Sequence, residues 1–175
     1  MVITVQDIVK NLKNAAKDDV ILIEKAYQFA HLAHQGQKRL SGRDYITHPL
    51  EAAYFLSSFN LDAKTIAACL LHDTLEDTPI TLKDLEKGFG KEIAFLVKGV
   101  SRLEKIKYKG SADIAKKDSR SQYLRKMFFA MAEDIRVILI KLADRYHNMK
   151  TLKYLDRNAQ KIGCFKGVSY VISAR

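Results

Sequence analysis

The stretch Ala67–Asp77, AACLLHDTLED, has the composition of a core-facing helix, with Ala67, Ala68, Leu70, Leu71 and Leu75 as its apolar members. His72, Asp73, Glu76 and Asp77 interrupt it. Burying such groups costs on the order of several kcal/mol unless they are paired or hold a metal ion. At ~100° per residue His72, Asp73 and Glu76 fall on one side of the helix, with Asp77 at its edge. Two readings of the stretch alone are open. Glu76 and Asp77 can simply end the helix before Thr78-Pro79 while His72 and Asp73 satisfy each other. Alternatively, the imidazole and the carboxylates are gathered into one small volume for a chemical purpose, and the rest of the chain has to decide.

The chain has 175 residues, the length of one domain that buries about two-thirds of its unfolded surface. Its two cysteines, Cys69 and Cys164, have no C-x-x-C spacing and read as reduced thiols of a cytoplasmic protein. No stretch approaches the ~20 apolar residues that cross a bilayer, and the start MVITVQDIVKNLKN lacks the long apolar run of an export signal, so neither membrane nor export is expected. Thirty Lys+Arg against twenty Asp+Glu leave a formal charge of +10, which concentrates anions near the surface. No RNP-like aromatic strand, zinc-finger spacing or helix-turn-helix signal accompanies it, so no nucleic-acid partner is expected.

Helical periodicity runs nearly throughout, and the only two prolines, Pro49 and Pro79, stand where helices start or stop, so the expected fold is an all-α bundle. Thr4–Asn14 reads as a short amphipathic helix. A second, capped by Asp18 or Asp19, runs out near His34, where His31 and His34 are expected to be hydrogen-bonded helix-end histidines. Gln35–His48, QGQKRLSGRDYITH, is a loop whose Lys38, Arg39, Ser41 and Arg43 suit a phosphate or a base edge. Pro49 in the first helical turn makes His48 the approximate N-cap. Helices are expected at Leu50–Phe59, at the central stretch capped by Asp62, and at Thr81–Lys87 and Glu92–Leu103 with Gly88 and Gly90 between. A basic connection (104–117), a helix at Ser119–Met131 and the longest apolar run, DIRVILIKLADRYHNMKTLKYL from Asp134, complete the expected order.

The face of that last helix holding Val137 and Ile140 continues through Asp144, His147, Asn148 and Thr151 at i, i+3, i+4, i+7 spacing, turning from apolar to polar without leaving its side. Packed beside Ala67–Asp77, it would bring Asp144 to His48, His72 and Asp73. Two imidazoles and two carboxylates suit manganese, iron, zinc or another divalent ion and leave positions open for water and substrate, which implies hydrolysis. Glu76 and Asp77 lie one turn beyond His72 and Asp73, in reach to orient a water or move its proton.

HQGQKRLSG at 34–42, HPLEAA at 48–53, LLHDTLEDT at 70–78 and KLADRYHNMKTL at 141–152, in that order along the chain, resemble the HD-domain hydrolase of the RelA/SpoT homologues, which include single-domain small alarmone hydrolases. The resemblance covers roughly 20–157. It implies manganese-dependent removal of the 3′-pyrophosphate of guanosine tetra- and pentaphosphate, giving GDP or GTP and pyrophosphate. Residue by residue, it implies manganese ligation by His48, His72, Asp73 and Asp144, with Glu76 and Asp77 positioning or activating the water. It further implies that Arg39 stacks on or beside guanine, Ser41 contacts the nucleotide, and Asn148 with Thr151 lie along the sugar and phosphate. Guanine, manganese and the 3′ position come only from the resemblance.

The sequence also departs from the family pattern. Leu40 stands where relatives often carry a second basic residue, and residues 104–118 look longer than the usual connection. After the LADRxHNM helix the family continues with a further helix and a Tyr-Ala-Pro segment, whereas here QKIGCFKGVSYVISAR follows. The expected organisation is therefore an HD-type hydrolase domain at 1–157 and an atypical tail at 158–175, without the family's synthetase region. Competing readings are a phosphohydrolase acting on another nucleotide, such as the 2′-phosphate of NADPH, and an inactive remnant that binds the alarmone.

Overall fold

The computed structural model describes residues 3–104 and 133–154. The expected connection, the helix at Ser119–Met131 and the tail at 158–175 lie outside the described residues. Within them the regular elements are helical, apart from one isolated antiparallel bridge between Lys38 and Asp44. The order is α1 Val5–Asn11, α2 Lys17–Ala33, α3 Thr47–Ser57, α4 Ala63–Leu71, α5 Thr74–Asp77, α6 Leu82–Glu104 and α7 Ile135–Lys150, then a 3-10 turn at Leu152–Tyr154.

Helix α4 is the axis of the bundle and touches α2, α3, α6 and α7. It is buried throughout apart from Lys64, as its nearly all-apolar sequence requires. Small side chains let the neighbours approach: Ala26 and Ala30 of α2, Ala52 and Ala53 of α3, Ala94 of α6 and Ala143 of α7 are fully buried. Asp62 caps α4 as expected, accepting from the Thr65 backbone N–H at 2.9 Å and the Thr65 hydroxyl at 2.8 Å. Asp134 caps α7 by accepting from the Arg136 N–H at 2.9 Å.

Several boundaries differ from expectation, each for a local reason. Helix α2 starts before Asp18: Ala16 is its N-cap, and Asp19 reaches back to accept the Ala16 N–H at 3.0 Å. Helix α3 begins at Thr47, so His48 lies inside the first turn rather than at its cap. A proline one residue later is no obstacle, because the first four N–H groups of a helix lack intrahelical acceptors anyway. By contrast, the two helices expected on either side of Gly88 and Gly90 are present, run together as α6 and broken at Gly90, whose φ of 83° is a glycine conformation.

The central stretch is not one helix to Asp77. It ends at Leu71, turns at His72–Asp73, and resumes as the single turn α5. Side chains compete for the carbonyls here: His72 Nδ1 is 2.7 Å from the Cys69 carbonyl oxygen, and the Thr74 hydroxyl donates to that of Leu71 at 2.7 Å. This break sits at the foot of α4 and faces α7.

Candidate active site

His48 from α3, His72 and Asp73 from the break after α4, and Asp144 from α7 meet at the centre of the bundle. His48 and His72 are 1% and 2% exposed and Asp144 is 3% exposed. One ligand atom each from His48, His72 and Asp144 lies within 4.8 Å of the other two, a spread suited to donors held at ~2.0–2.2 Å from a shared ion. Asp144 Oδ1 is 3.3 Å from His48 Nε2 and 3.9 Å from His72 Nε2. Asp73 flanks the same nitrogens, with Oδ1 3.0 Å from His72 Nε2 and Oδ2 3.5 Å from His48 Nε2.

The donor chemistry fits a divalent cation. His72 Nδ1 is occupied by the Cys69 carbonyl, which can only accept, so that nitrogen carries a proton. His72 Nε2 is buried and turned toward two carboxylates, Asp73 Oδ1 at 3.0 Å and Asp144 Oδ1 at 3.9 Å, without a well-formed hydrogen bond to either. Burial is the largest influence on this imidazole and would depress it, but Asp73 and Asp144 outweigh it and push it up to about 9. The pocket therefore favours positive charge at the spot where an ion would bind. At His48 burial wins and the imidazole is pushed down. Burial would raise Asp144, yet Lys141, His48 and His72 hold it well below the usual carboxylate range. The same histidines lower Asp73 against its own burial.

Lys141, buried inside α7, explains how Asp144 is aimed. Its Nζ is 2.8 Å from Asp144 Oδ2, which leaves Oδ1 to the histidines. Asn148, one turn further on, donates from Nδ2 to that Oδ1 at 2.5 Å. Asn148 Oδ1 in turn accepts from Arg39 Nη2 at 2.9 Å. The Arg39 guanidinium lies 5.5 Å from the centre of the Tyr45 ring, so the loop's arginine links Tyr45 to the Asn148 that holds Asp144.

That loop is a small hairpin. Arg39 N–H donates to the Arg43 carbonyl at 2.9 Å, Gly42 N–H to the Arg39 carbonyl at 2.8 Å, and Tyr45 N–H to the Gln37 carbonyl at 3.0 Å. Gly42 takes a φ of 80°, as this turn requires. Gln37 Nε2 donates to the Asp77 carbonyl at 2.7 Å, tying the hairpin to α5. His34 ends α2, meets Gln37 Oε1 at 2.9 Å through Nδ1 and stacks on Tyr45 at 4.6 Å, the helix-end role expected of it. His31 is exposed on the helix surface. Ser41 sits in the turn and Leu40 beside it is 80% exposed. The Thr151 hydroxyl caps α7, donating to the His147 and Asn148 carbonyls at 3.2 and 3.1 Å.

Glu76 and Asp77, the pair expected to handle the water, differ in setting. Burial pushes the Glu76 carboxyl above its ordinary range, although Ser101 and Lys141 oppose the shift. Asp77 is exposed and accepts from the Tyr45 hydroxyl at 2.6 Å, while Asp73 Oδ2 lies 3.0 Å from the same hydroxyl. Burial and these carboxylates push the Tyr45 phenol up, so it remains a donor with one proton for two acceptors.

Tyr45, Lys141 and Ser101 were not singled out from the sequence, nor were His147 and Glu51 given a role. A lysine three residues before Asp144 on an apolar helix was a usable signal, since a buried lysine needs an anion. Tyr45 offered only an aromatic residue in a loop. His147 is pulled down to about 4 by burial and by neighbouring His48, against the pull of Glu51.

The chain belongs to the HD-domain family, whose profile, described as "HD domain", matches residues 26–163. The protein named bifunctional (p)ppGpp synthase/hydrolase SpoT from Escherichia coli K12 is 51% identical over 136 residues, covering 78% of this chain and 19% of that protein. Guanosine-3′,5′-bis(diphosphate) 3′-pyrophosphohydrolase from Spiroplasma citri is 45% identical over 159 residues, covering 90% of this chain and 21% of that protein. The chain thus spans about a fifth of the length of these relatives. A solved structure, described as a metazoan ortholog of SpoT that hydrolyzes ppGpp and plays a role in starvation responses, shares the fold. Its TM-score is 0.70 at 22% identity, over 93% of this chain and 88% of that one.

Proposed function

We propose that the chain is a manganese-dependent hydrolase of the 3′-pyrophosphate of guanosine tetra- and pentaphosphate, releasing pyrophosphate and GDP or GTP. The observation that carries the reading is the buried group of His48, His72 and Asp144, with one ligand atom of each within 4.8 Å of the others. The name of the Spiroplasma relative supports the choice of substrate.

His48, His72, Asp144 and Asp73 would hold the ion. When bound, a divalent ion supplies a lowered pKa to water and offsets charge on phosphate oxygens. Glu76, a carboxylate with a raised proton affinity, would accept a proton from the attacking water, and Asp77, fixed by the Tyr45 hydroxyl, would orient it. The water oxygen bonds to the phosphorus on the 3′ oxygen and the O3′–P bond breaks. The pyrophosphate leaves with the water oxygen and the ribose O3′ gains a proton. Arg39 offers a planar cation beside guanine, Ser41 a hydroxyl to the nucleotide, and Asn148 with Thr151 polar groups along the sugar and phosphate. The excess of Lys+Arg raises the local concentration of so anionic a substrate.

The test is pyrophosphate release from guanosine tetraphosphate with and without Mn²⁺, with Asp73→Ala as the blank and NADPH as the competing substrate. Release that needs both Mn²⁺ and Asp73 is the expected result. A manganese-loaded protein that binds the alarmone without cleaving it would refute the activity.

A further inference from the structure

Behind His48, at the ring nitrogen away from the carboxylates, runs a chain of polar groups, His147, Glu51 and Arg43, to which the proposed function gives no role. His48 Nδ1 lies 2.6 Å from His147 Nδ1. His147 Nε2 lies 3.1 Å from Glu51 Oε2, and Glu51 Oε1 accepts from Arg43 Nη1 at 2.7 Å. The two rings are 1% and 5% exposed, so neither can turn to bulk water for a missing partner.

With one proton on each ring and Glu51 a carboxylate, these contacts admit one consistent placement of protons. Burial would raise Glu51, but Arg43 and His147 outweigh it and keep the carboxyl below its ordinary range. A carboxylate only accepts, so His147 Nε2 must carry the proton that faces it. With its one proton on Nε2, the His147 ring turns a bare lone pair at Nδ1 toward His48. That lone pair, 2.6 Å from His48 Nδ1, requires His48 Nδ1 to donate. His48 Nε2 is left without a proton, and it is the nitrogen 3.3 Å from Asp144 and 3.5 Å from Asp73.

We infer that His147 and Glu51 are positioning residues for His48, locking it in the Nδ1–H tautomer so that its Nε2 lone pair is presented to the ion. His72 reaches the same state with a backbone carbonyl, through Cys69; His48 reaches it through a second imidazole whose own tautomer is fixed by Glu51 and braced by Arg43. The chain also runs from the nucleotide loop, which carries Arg43, to the metal centre. The inference rests on the reading of His48 as a metal ligand.

Two readouts test it on the full chain. Long-range ¹H–¹⁵N spectra of the metal-free, histidine-labelled protein should show His48 as the Nδ1–H tautomer and His147 as the Nε2–H tautomer. In Glu51→Ala the His147 pattern should become an average of both. Mn²⁺ affinity, read from the electron paramagnetic resonance signal of the free ion, should fall about 10-fold in Glu51→Ala and about 10–100-fold in His147→Phe. The double variant should bind no more weakly than His147→Phe alone, because Glu51 acts through His147. A mere packing role would not fix the tautomers. A parent protein showing His48 as the Nε2–H tautomer, unchanged affinity in the variants, or additive losses would overturn the inference. If His147→Phe does not fold, the parent spectrum and Glu51→Ala, at a half-buried position, decide it. A parent that binds no Mn²⁺ would instead overturn the metal reading beneath it.

Discussion

Replacing Gly99 by alanine pits two effects of known size against each other. Gly99 lies within α6, where alanine gains about 1 kcal/mol of helix propensity over glycine. The added Cβ would stand 2.8 Å from Val137 Cγ2 and 3.1 Å from Val137 Cγ1 on α7. Val137 is 1% exposed and β-branched, so its methyl groups cannot swing aside and the helices themselves must part. Overpacking of this kind costs about 1–3 kcal/mol. The net expectation is a loss of about 1 kcal/mol, within a range of about 0–2, or ~2–4 °C in Tm per kcal/mol for a chain of this size. Calorimetry on the metal-free protein measures it. Asp144 rides on the Val137 face of α7, so Mn²⁺ affinity should fall as well. Val137→Ala in the same molecule removes the obstructing methyls and should make the pair less destabilised than the sum of its parts. A Tm that rises in Gly99→Ala with Mn²⁺ binding unchanged would show that the helices have room and that propensity alone decides.

Other outcomes follow from the site. Asp73→Ala and His48→Ala should lose Mn²⁺ binding and turnover together, by isothermal titration and pyrophosphate release. Glu76→Gln should keep Mn²⁺ and lose turnover. Because the folded Glu76 carboxyl has its pKa raised above the unfolded value, its favourable contribution is present at low pH and lost as pH rises through the folded pKa. The glutamine variant should therefore melt higher than the metal-free parent at pH 7, with the gap closing as pH falls toward 4.5. Mn²⁺ at about 100 times its Kd should stabilise the parent by about 2.7 kcal/mol, and chelation should reverse the gain. Arg39→Ala should raise KM more than it lowers kcat, since the role proposed for the guanidinium is to bind the nucleotide and not to handle the water.

The sequence was most legible where one face of one helix told the story. The apolar-to-polar stripe on α7 and the clustered ionisable groups after α4 needed only periodicity, and all four proposed metal residues are neighbours in the structure. The break at His72–Asp73 was not legible, because side chains of His72 and Thr74 take carbonyls that an uninterrupted helix would use, and propensity does not register that competition. Tyr45, Glu51 and the role of His147 depend on which loop and which helix face end up adjacent. His147 and Glu51 are separated by 96 residues in the chain, and no local pattern joins them.

The hairpin proposed to take the nucleotide is held at each place where it meets the centre. Gln37 grips the backbone of Asp77, Arg39 grips the Asn148 amide that holds Asp144, and Tyr45 stands between Asp73 and Asp77. On the proposed function, recognition and chemistry are consequently one mechanical part rather than two modules. An engineer who grafts a foreign hairpin here to change the base preference inherits its fit to α5 and α7 as well. Such a graft should succeed only when Gln37, Arg39 and Tyr45 travel unchanged, leaving Lys38, Leu40 and Ser41 as the positions open to redesign.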